Sequence, residues 1–336
     1  MNLKYNIPNL LLSNIRESLE DKFGKNEKIL LPKKIEKYSL IKRMSGNPFE
    51  YTKAGKYKDK NGKFFFIKIW QGNSVNYHYI SLKNESITYQ SLQSVYSRIS
   101  KNLPKKFKRF TFPKFVEEIS TKNSLVLVTE WVDGLDMKKS NSSEEEITKT
   151  FFEIYEFLNF IGKKMNSKER KMISVRNKYS YFTLYPLLLV SSLILQPSES
   201  KYLLKGLFKV IPYFREMFFD NSLSLVHRDL HEKNIMISGK KINIVDLQFL
   251  VFTYQPYEIS AILRYYWSDK KQIKSILDFL KKNYETDSQT ARLFVPMNII
   301  FGTHGMISVN FPDSVMKKFK DYLHFSVSDQ VNIFEK

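Results

Sequence analysis

The sequence predicts an α+β chain in two lobes: a small N-terminal lobe with a five-stranded antiparallel sheet and one helix, then a larger, mainly helical lobe. Three observations carry this reading. Short β-like runs separated by polar turns crowd between Tyr38 and Glu130, helical periodicity dominates from Glu144 onward, and 336 residues exceed what one hydrophobic core usually serves. The seam falls just after Glu130, near Asp133-Gly134, so the expected parts are 1–37, 38–132 and 133–336.

The elements follow in order. In residues 1–37 a helical leader is expected, because Leu10, Leu11, Ile15 and Leu19 fall at helical spacing. Tyr38 to Met44 reads as a strand running into a Ser45-Gly46-Asn47-Pro48 turn. Tyr51 to Lys58 and Lys63 to Trp70 flank the hairpin signal Asp59-Lys60-Asn61-Gly62. A helix is expected from about Tyr79 to Ile99, then strands over Lys114 to Ile119 and Ser124 to Glu130 around Thr121-Lys122-Asn123. From Glu144 to about Phe219 the pattern is helical, with breaks expected near Pro186, Pro197 and Pro212. Two short β-like runs, Ile235 to Ser238 and Lys241 to Val245, turn at Gly239, and the remainder is helical.

Composition excludes several classes. With no cysteine, thiolate zinc sites are ruled out and nothing argues for an oxidising compartment. No secretory signal is visible. The most apolar run, Leu184 to Leu195, contains Pro186 and is too short to cross a bilayer, so it reads as a buried helix and the protein as soluble and cytoplasmic. The formal charge of +20 comes from scattered lysines, the densest cluster being Lys105 to Arg109. Such scatter does not make a nucleic-acid footprint. It leaves peripheral contact with an anionic membrane open and favours a neutral or anionic substrate over a cationic one.

The chemistry concentrates in Val226-His227-Arg228-Asp229-Leu230-His231-Glu232-Lys233-Asn234, followed by Ile244-Val245-Asp246-Leu247-Gln248. Phosphoryl transfer needs an acceptor for a hydroxyl proton, and an amide oxygen and a carboxylate to hold magnesium against a triphosphate. Asp229 fits the first role, and Asn234 and Asp246 fit the metal roles. Upstream, Lys68 lies mid-strand in the apolar run Phe64 to Trp70, where an ammonium needs a charged partner. Glu85 supplies one, since Glu85, Leu92 and Ile99 repeat every seven residues beside Leu82, Tyr89 and Tyr96 on one helix stripe.

These segments, in this order, resemble the protein-kinase-like superfamily. The resemblance implies a kinase-like fold binding ATP and Mg2+, with Asp229 catalytic, Lys68 and Glu85 gripping phosphates, and His227, Arg228 and His231 in support. It further implies that Leu125 to Gly134 runs into a hinge whose Glu130 and Val132 backbones meet adenine. Ser45 and Gly46 then sit in the phosphate-covering loop, by position rather than by a full glycine motif.

Two spacings turn the resemblance away from protein kinases. The stretch between Trp131 and His227 is longer and helical, and Asp246 is followed by Leu247-Gln248 with no room for a long activation segment. Tyr257-Glu258-Ile259-Ser260-Ala261-Ile262-Leu263 is similar to a helix start of the aminoglycoside and choline phosphotransferase group, with Glu258 in place of Asp. Within that group the motif run resembles kinases of amino-sugar anomeric hydroxyls, and less closely the lipopolysaccharide core kinases. The implied activity is phosphoryl transfer to a small-molecule hydroxyl, with a sugar or amino sugar as acceptor. A cell-envelope sugar kinase, an ATP-binding pseudokinase module and a Ser/Thr protein kinase stand as alternatives. His78, His304 and His324 read as ordinary isolated histidines. Asp133 and Asp136 read either as turn formers or as ribose or substrate contacts. The aromatic runs Phe151 to Phe157 and Tyr179 to Tyr185 read as helical core, with the lining of a sugar pocket by stacking as the alternative for either.

Overall fold

A computed structural model describes residues 31–44, 52–72, 77–175, 178–219, 223–285, 288–307 and 313–331. The Leu10 to Leu19 helical pattern and the Ser45-Gly46-Asn47-Pro48 turn lie outside them. Contacts divide the chain into two compact units, one of Met1–Ser140, Lys163–Ser174 and Lys233–Leu250, the other of Asn141–Gly162, Val175–Glu232 and Val251–Lys336.

In the first unit a six-stranded antiparallel sheet is built from β1 (Lys34–Ile35), β2 (Tyr38–Arg43), β3 (Thr52–Lys58), β4 (Phe64–Gln71), β6 (Phe115–Ser120) and β7 (Ser124–Glu130), with β5 (Phe110–Thr111) outside it. The order is β1-β2-β3-β4-β7-β6. Five strands were expected; the sixth is β1, whose two residues are too few to show alternation. It pairs with β2 through a turn in which Glu36 has φ 45°. The described end of the expected helical leader is therefore strand rather than helix.

Alternation along β4 sends Phe65, Ile67 and Ile69 into a core with Tyr38, Tyr57, Val126 and Val128. Lys68 is out of phase with that set, and its cross-strand neighbours are Ala54 and Leu127. Helix α1 (Tyr77–Ile99) buries Leu82, Glu85, Tyr89 and Leu92, the predicted stripe. Its C-terminal half is tied to Glu169, which takes hydrogen bonds from Ser91 and Ser94 (both 2.9 Å) and Arg98 (2.6 Å). A second sheet of this unit has the order β5-β11-β10-β8, with β8 Leu135–Asp136, β10 Ile235–Ser238 and β11 Lys241–Ile244.

The second unit is helical apart from the pair β9 (Ser224–Val226) and β12 (Val251–Thr253). Its helices include the greater part of α2 (Glu144–Lys164), then α4 (Lys178–Leu195), α5 (Ser200–Val210), α6 (Phe214–Phe219), α7 (Pro256–Tyr266), α8 (Lys270–Asn283), α9 (Gln289–Gly305) and α10 (Asp313–Ser326); the short α3 (Ser167–Met172) belongs to the first unit. Helices α4, α5, α7 and α10 pack against α9. The Phe151 to Phe157 run is core, as expected, with Phe151, Ile154 and Phe157 fully buried.

Two expectations fail here. Pro186 does not break α4; the helix continues to Leu195 with the proline inside it. The cost of a proline within a helix, about 3 kcal/mol, is outweighed by packing of Tyr185, Leu188 and Leu189. Nor is α4 buried all round, because Leu187, Val190, Ile194 and Leu195 are exposed. No described helix is long and apolar enough to cross a membrane.

Candidate active site

In the first unit, the Lys68 ammonium lies 2.8 and 3.0 Å from the two carboxylate oxygens of Glu85 and 2.7 Å from Asp246 Oδ1. The Lys68 side chain is only 11% exposed and that of Glu85 2%, whereas Asp246 keeps 30% of its side chain open to solvent. Burial alone would discharge the ammonium, but the charges of Asp246 and Glu85 outweigh it and hold its pKa above the ordinary lysine value. Burial also pushes the Glu85 carboxyl up, against the pull of Lys68. Glu85 further accepts a hydrogen bond from the Leu247 backbone, and Tyr89 meets the backbone of Asp246. Helix α1 thus grips the segment after β11 at two points.

Strand register sets the metal-ligand candidates. In the β10–β11 hairpin Ile235 pairs with Ile244, so Asn234 and Asp246 emerge at the same end. The Val245 amide closes that end on the Asn234 carbonyl at 3.0 Å. Asp246 has φ 60° and ψ 63°, a left-handed conformation uncommon for a residue with a Cβ. Of the four described non-glycine residues with positive φ, two are Arg228 and Asp246. Such strain collects at functional sites.

The chain leaving β7 is pinned to the same hairpin. A Cβ on Gly134 would stand 2.2 Å from the Ile237 carbonyl oxygen, so only glycine allows β8 to pair with β10. At the end of β7, the Glu130 amide donates to the Lys114 carbonyl at 2.9 Å and its carboxylate binds Lys63 at 2.7 Å. Asp133 accepts from the Trp131 indole at 2.8 Å and Asp136 pairs with Lys139 at 2.7 Å, which are turn-shaping contacts.

In the second unit, β9 is buried throughout and delivers the motif beginning at His227, itself fully buried. Arg228 has φ 68°, donates its amide to Glu258 Oε2 at 2.8 Å, and lays its guanidinium 5.1 Å over the Tyr257 ring. The Asp229 side chain is 38% exposed, with His231 Nε2 3.8 Å from its Oδ2. The His231 ring stacks on Tyr265 at 4.6 Å and 7°. Tyr266 hydrogen-bonds the Glu232 carboxylate. Burial pushes Glu258 up to about 7, opposed by hydrogen bonds from the Arg228 and His227 backbones and reinforced by the charge of Asp229.

The described residues therefore bring Lys68, Glu85 and Asp246 into contact, with Asn234 at the Asp246 end of one hairpin. His227, Arg228, Asp229 and His231 form a second group on the loop after β9. Glu130 and Val132 occupy the end of β7 and the residues after it, while Ser45 and Gly46 lie outside the described residues. Sequence reasoning missed Glu258 as the buttress of the Arg228 turn, the Tyr265 platform and the Tyr266–Glu232 bond. A buried acid at a helix start was the available signal for the first. His324 is held by Glu199 at 2.7 Å and stacks on Tyr202, a structural role.

Among the described residues no three His, Cys, Asp or Glu side chains gather as a ready-made metal cage. One carboxylate and one amide on a hairpin end suit an ion that completes its shell with phosphate oxygens and water, as magnesium does.

No protein-family model matches the sequence, and no curated protein matches it. Solved structures do. A thermostable mutant of aminoglycoside phosphotransferase APH(4)-Ia, in ternary complex with ADP and hygromycin B, is 10% identical with a TM-score of 0.61, over 94% of this chain and 98% of that one. Amicoumacin kinase hAmiN, in complex with AMP-PNP, Ca2+ and Ami, is 12% identical with a TM-score of 0.56, over 94% and 95%. Spectinomycin phosphotransferase APH(9)-Ia, in complex with ADP and spectinomycin, is 12% identical with a TM-score of 0.53, over 87% and 94%. At such identities the likeness is one of fold: this chain has the protein-kinase-like α+β fold of the aminoglycoside phosphotransferases.

Proposed function

We propose that the chain transfers the γ-phosphoryl group of ATP to a hydroxyl of a small molecule, with a sugar or amino sugar as the acceptor class. The observation that carries this reading is the Lys68 ammonium held between Glu85 and Asp246. A buried lysine kept charged by one buried and one part-open carboxylate is a fixed cation beside an anionic side chain still able to take a metal. That is what a magnesium–triphosphate needs and what a purely structural ion pair does not.

Asp246 and Asn234 would hold magnesium, which when bound neutralises charge on the β- and γ-phosphate oxygens. Lys68 fixes the α- and β-phosphates. Glu130 has its amide committed to Lys114, so its carbonyl is the group it can offer a base, with the Val132 amide as the donor. Asp229 orients the acceptor hydroxyl and takes its proton. The acceptor oxygen bonds to the γ-phosphorus as the bond to the β–γ bridging oxygen breaks, and ADP leaves with that electron pair.

Small acceptors are favoured over proteins because Leu247–Phe249 leads almost at once into β12 and α7, leaving no activation segment. The structural neighbours binding hygromycin B and spectinomycin support the same reading. The sugar class rests on the His227 to Asn234 motif. A screen with labelled ATP and magnesium across amino sugars, core-oligosaccharide sugars, amino alcohols and nucleosides tests it. Transfer to a sugar is expected; tight ATP binding with no transfer to any acceptor would identify a pseudokinase instead.

A further inference from the structure

Helices α4 and α5 each bury one face and present an apolar face opposite. On α4, Tyr185, Leu188, Leu189 and Ser192 are buried, and Ser192 donates to the Thr303 carbonyl of α9. On α5, Leu203, Gly206 and Val210 are buried, and a Cβ on Gly206 would stand 2.9 Å from Ile299 of α9 and 3.8 Å from the Tyr185 hydroxyl. The two buried faces thus meet α9 at one seam. At about 100° per residue, Leu187, Val190 and Ile194 lie about half a turn from the buried face of α4, Phe208 nearly half a turn from that of α5, and Leu204 about a third of a turn from it. The exposure is large: 73% for Ile194, 71% for Phe208 and 47% for Ile211 just beyond.

Charge decides what could cover this face. Neither α4 nor α5 contains an Asp or Glu, and α5 carries Lys201, Lys205 and Lys209. Exposed Lys201 and Lys205 share the outward stripe with Leu204 and Phe208, at spacings of three and four residues. The nearby acids are engaged: Asp329 is bound by Lys209 at 3.0 Å, and Glu199 by His324 and Lys320. Two copies meeting face to face would bring together two helix faces that carry lysine and no acid. An anionic bilayer instead receives apolar side chains between headgroups and lysines at the phosphate level. The formal charge of +20 adds long-range attraction to such a surface.

We infer that the outward face of α4 and α5, centred on Ile194 and Phe208 and rimmed by Lys201 and Lys205, docks on the surface of an anionic phospholipid bilayer. The helices lie on the membrane and do not cross it.

Flotation of the whole chain with vesicles tests this. Binding is expected to vesicles of phosphatidylcholine mixed with phosphatidylglycerol, weaker binding to phosphatidylcholine alone, and release by salt. The double variant Ile194→Ser/Phe208→Ser, and separately Lys201→Glu/Lys205→Glu, should each weaken binding by about tenfold or more, whereas Phe208→Leu should retain it. Unchanged melting temperatures show that the variants are folded. The inference is overturned if neither vesicle binds, if the double variants bind as the parent does, or if sedimentation shows a dimer that Phe208→Ser dissolves. Nucleotide binding and transfer to a soluble acceptor should be unchanged in these variants, so failure here is distinct from failure of the proposed activity.

Discussion

The Lys68 ammonium and the Asp246 carboxylate lie 2.7 Å apart although 178 residues separate them in the chain. A strand in the middle of a sheet and the end of a distant hairpin are thereby held to one point, with Glu85 as the third member. Lys68→Met should lower phosphotransfer by about a hundredfold. It should also cost about 3 kcal/mol of stability by stranding Glu85, while Lys68→Met/Glu85→Leu recovers much of that loss. Urea unfolding of both single variants and the double gives the coupling; additive energies would show the pair to be independent.

Asp246→Ala should abolish the magnesium dependence of nucleotide binding while leaving the Lys68–Glu85 pair in place. Calorimetric titration with AMP-PNP, with and without magnesium, reads this directly. A metal-dependent affinity equal to that of the parent would remove Asp246 from the ligand set.

Asp229→Asn should reduce kcat by about a hundredfold or more and leave nucleotide affinity unchanged. The residue sits in the loop after β9, where its side chain is 38% exposed. A parallel loss of nucleotide binding would mean that it acts through the loop's structure instead.

Glu258 predicts a pH dependence of stability. Its folded-state pKa of about 7 lies above the ordinary carboxylate value, so the folded chain holds a proton that the unfolded chain releases. Stability should therefore be greatest below the unfolded value, fall as pH rises through about 7, and then level off, with a total change of about 3 kcal/mol. Glu258→Gln keeps an acceptor for the Arg228 amide and should flatten that slope. Urea unfolding at a series of pH values is the measurement, and an equal slope in both proteins would rule out Glu258 as its source.

Much of this arrangement was legible because it depends on residues that are costly out of place. A lysine in Phe64 to Trp70 and a glutamate on the inward stripe of a helix each demand a partner, and they found each other. The strand Ser124–Glu130 and the hairpin strand Ile235–Ser238 have the predicted ends, since alternation and a Gly239 turn define them locally. What escaped is non-local. A two-residue strand such as β1 exists only through its partner. Pro186 reads as a breaker until the packing of its neighbours is known, and an apolar run cannot reveal that one of its faces remains uncovered. Glu258 looked like a departure from pattern because its role lies in a bond to the backbone of residue 228.

The hairpin Ile235–Ser238 and Lys241–Ile244 works as a ruler. Four cross-strand pairs fix how far apart Asn234 and Asp246 emerge, whatever side chains fill the rungs. Residues at the Gly239 tip can change freely, but deleting one residue from either strand would reverse the facing of everything beyond it and swing one oxygen donor away from the other. Spacing held by backbone rather than by side chains leaves the rung residues free to vary while the two donors keep their distance.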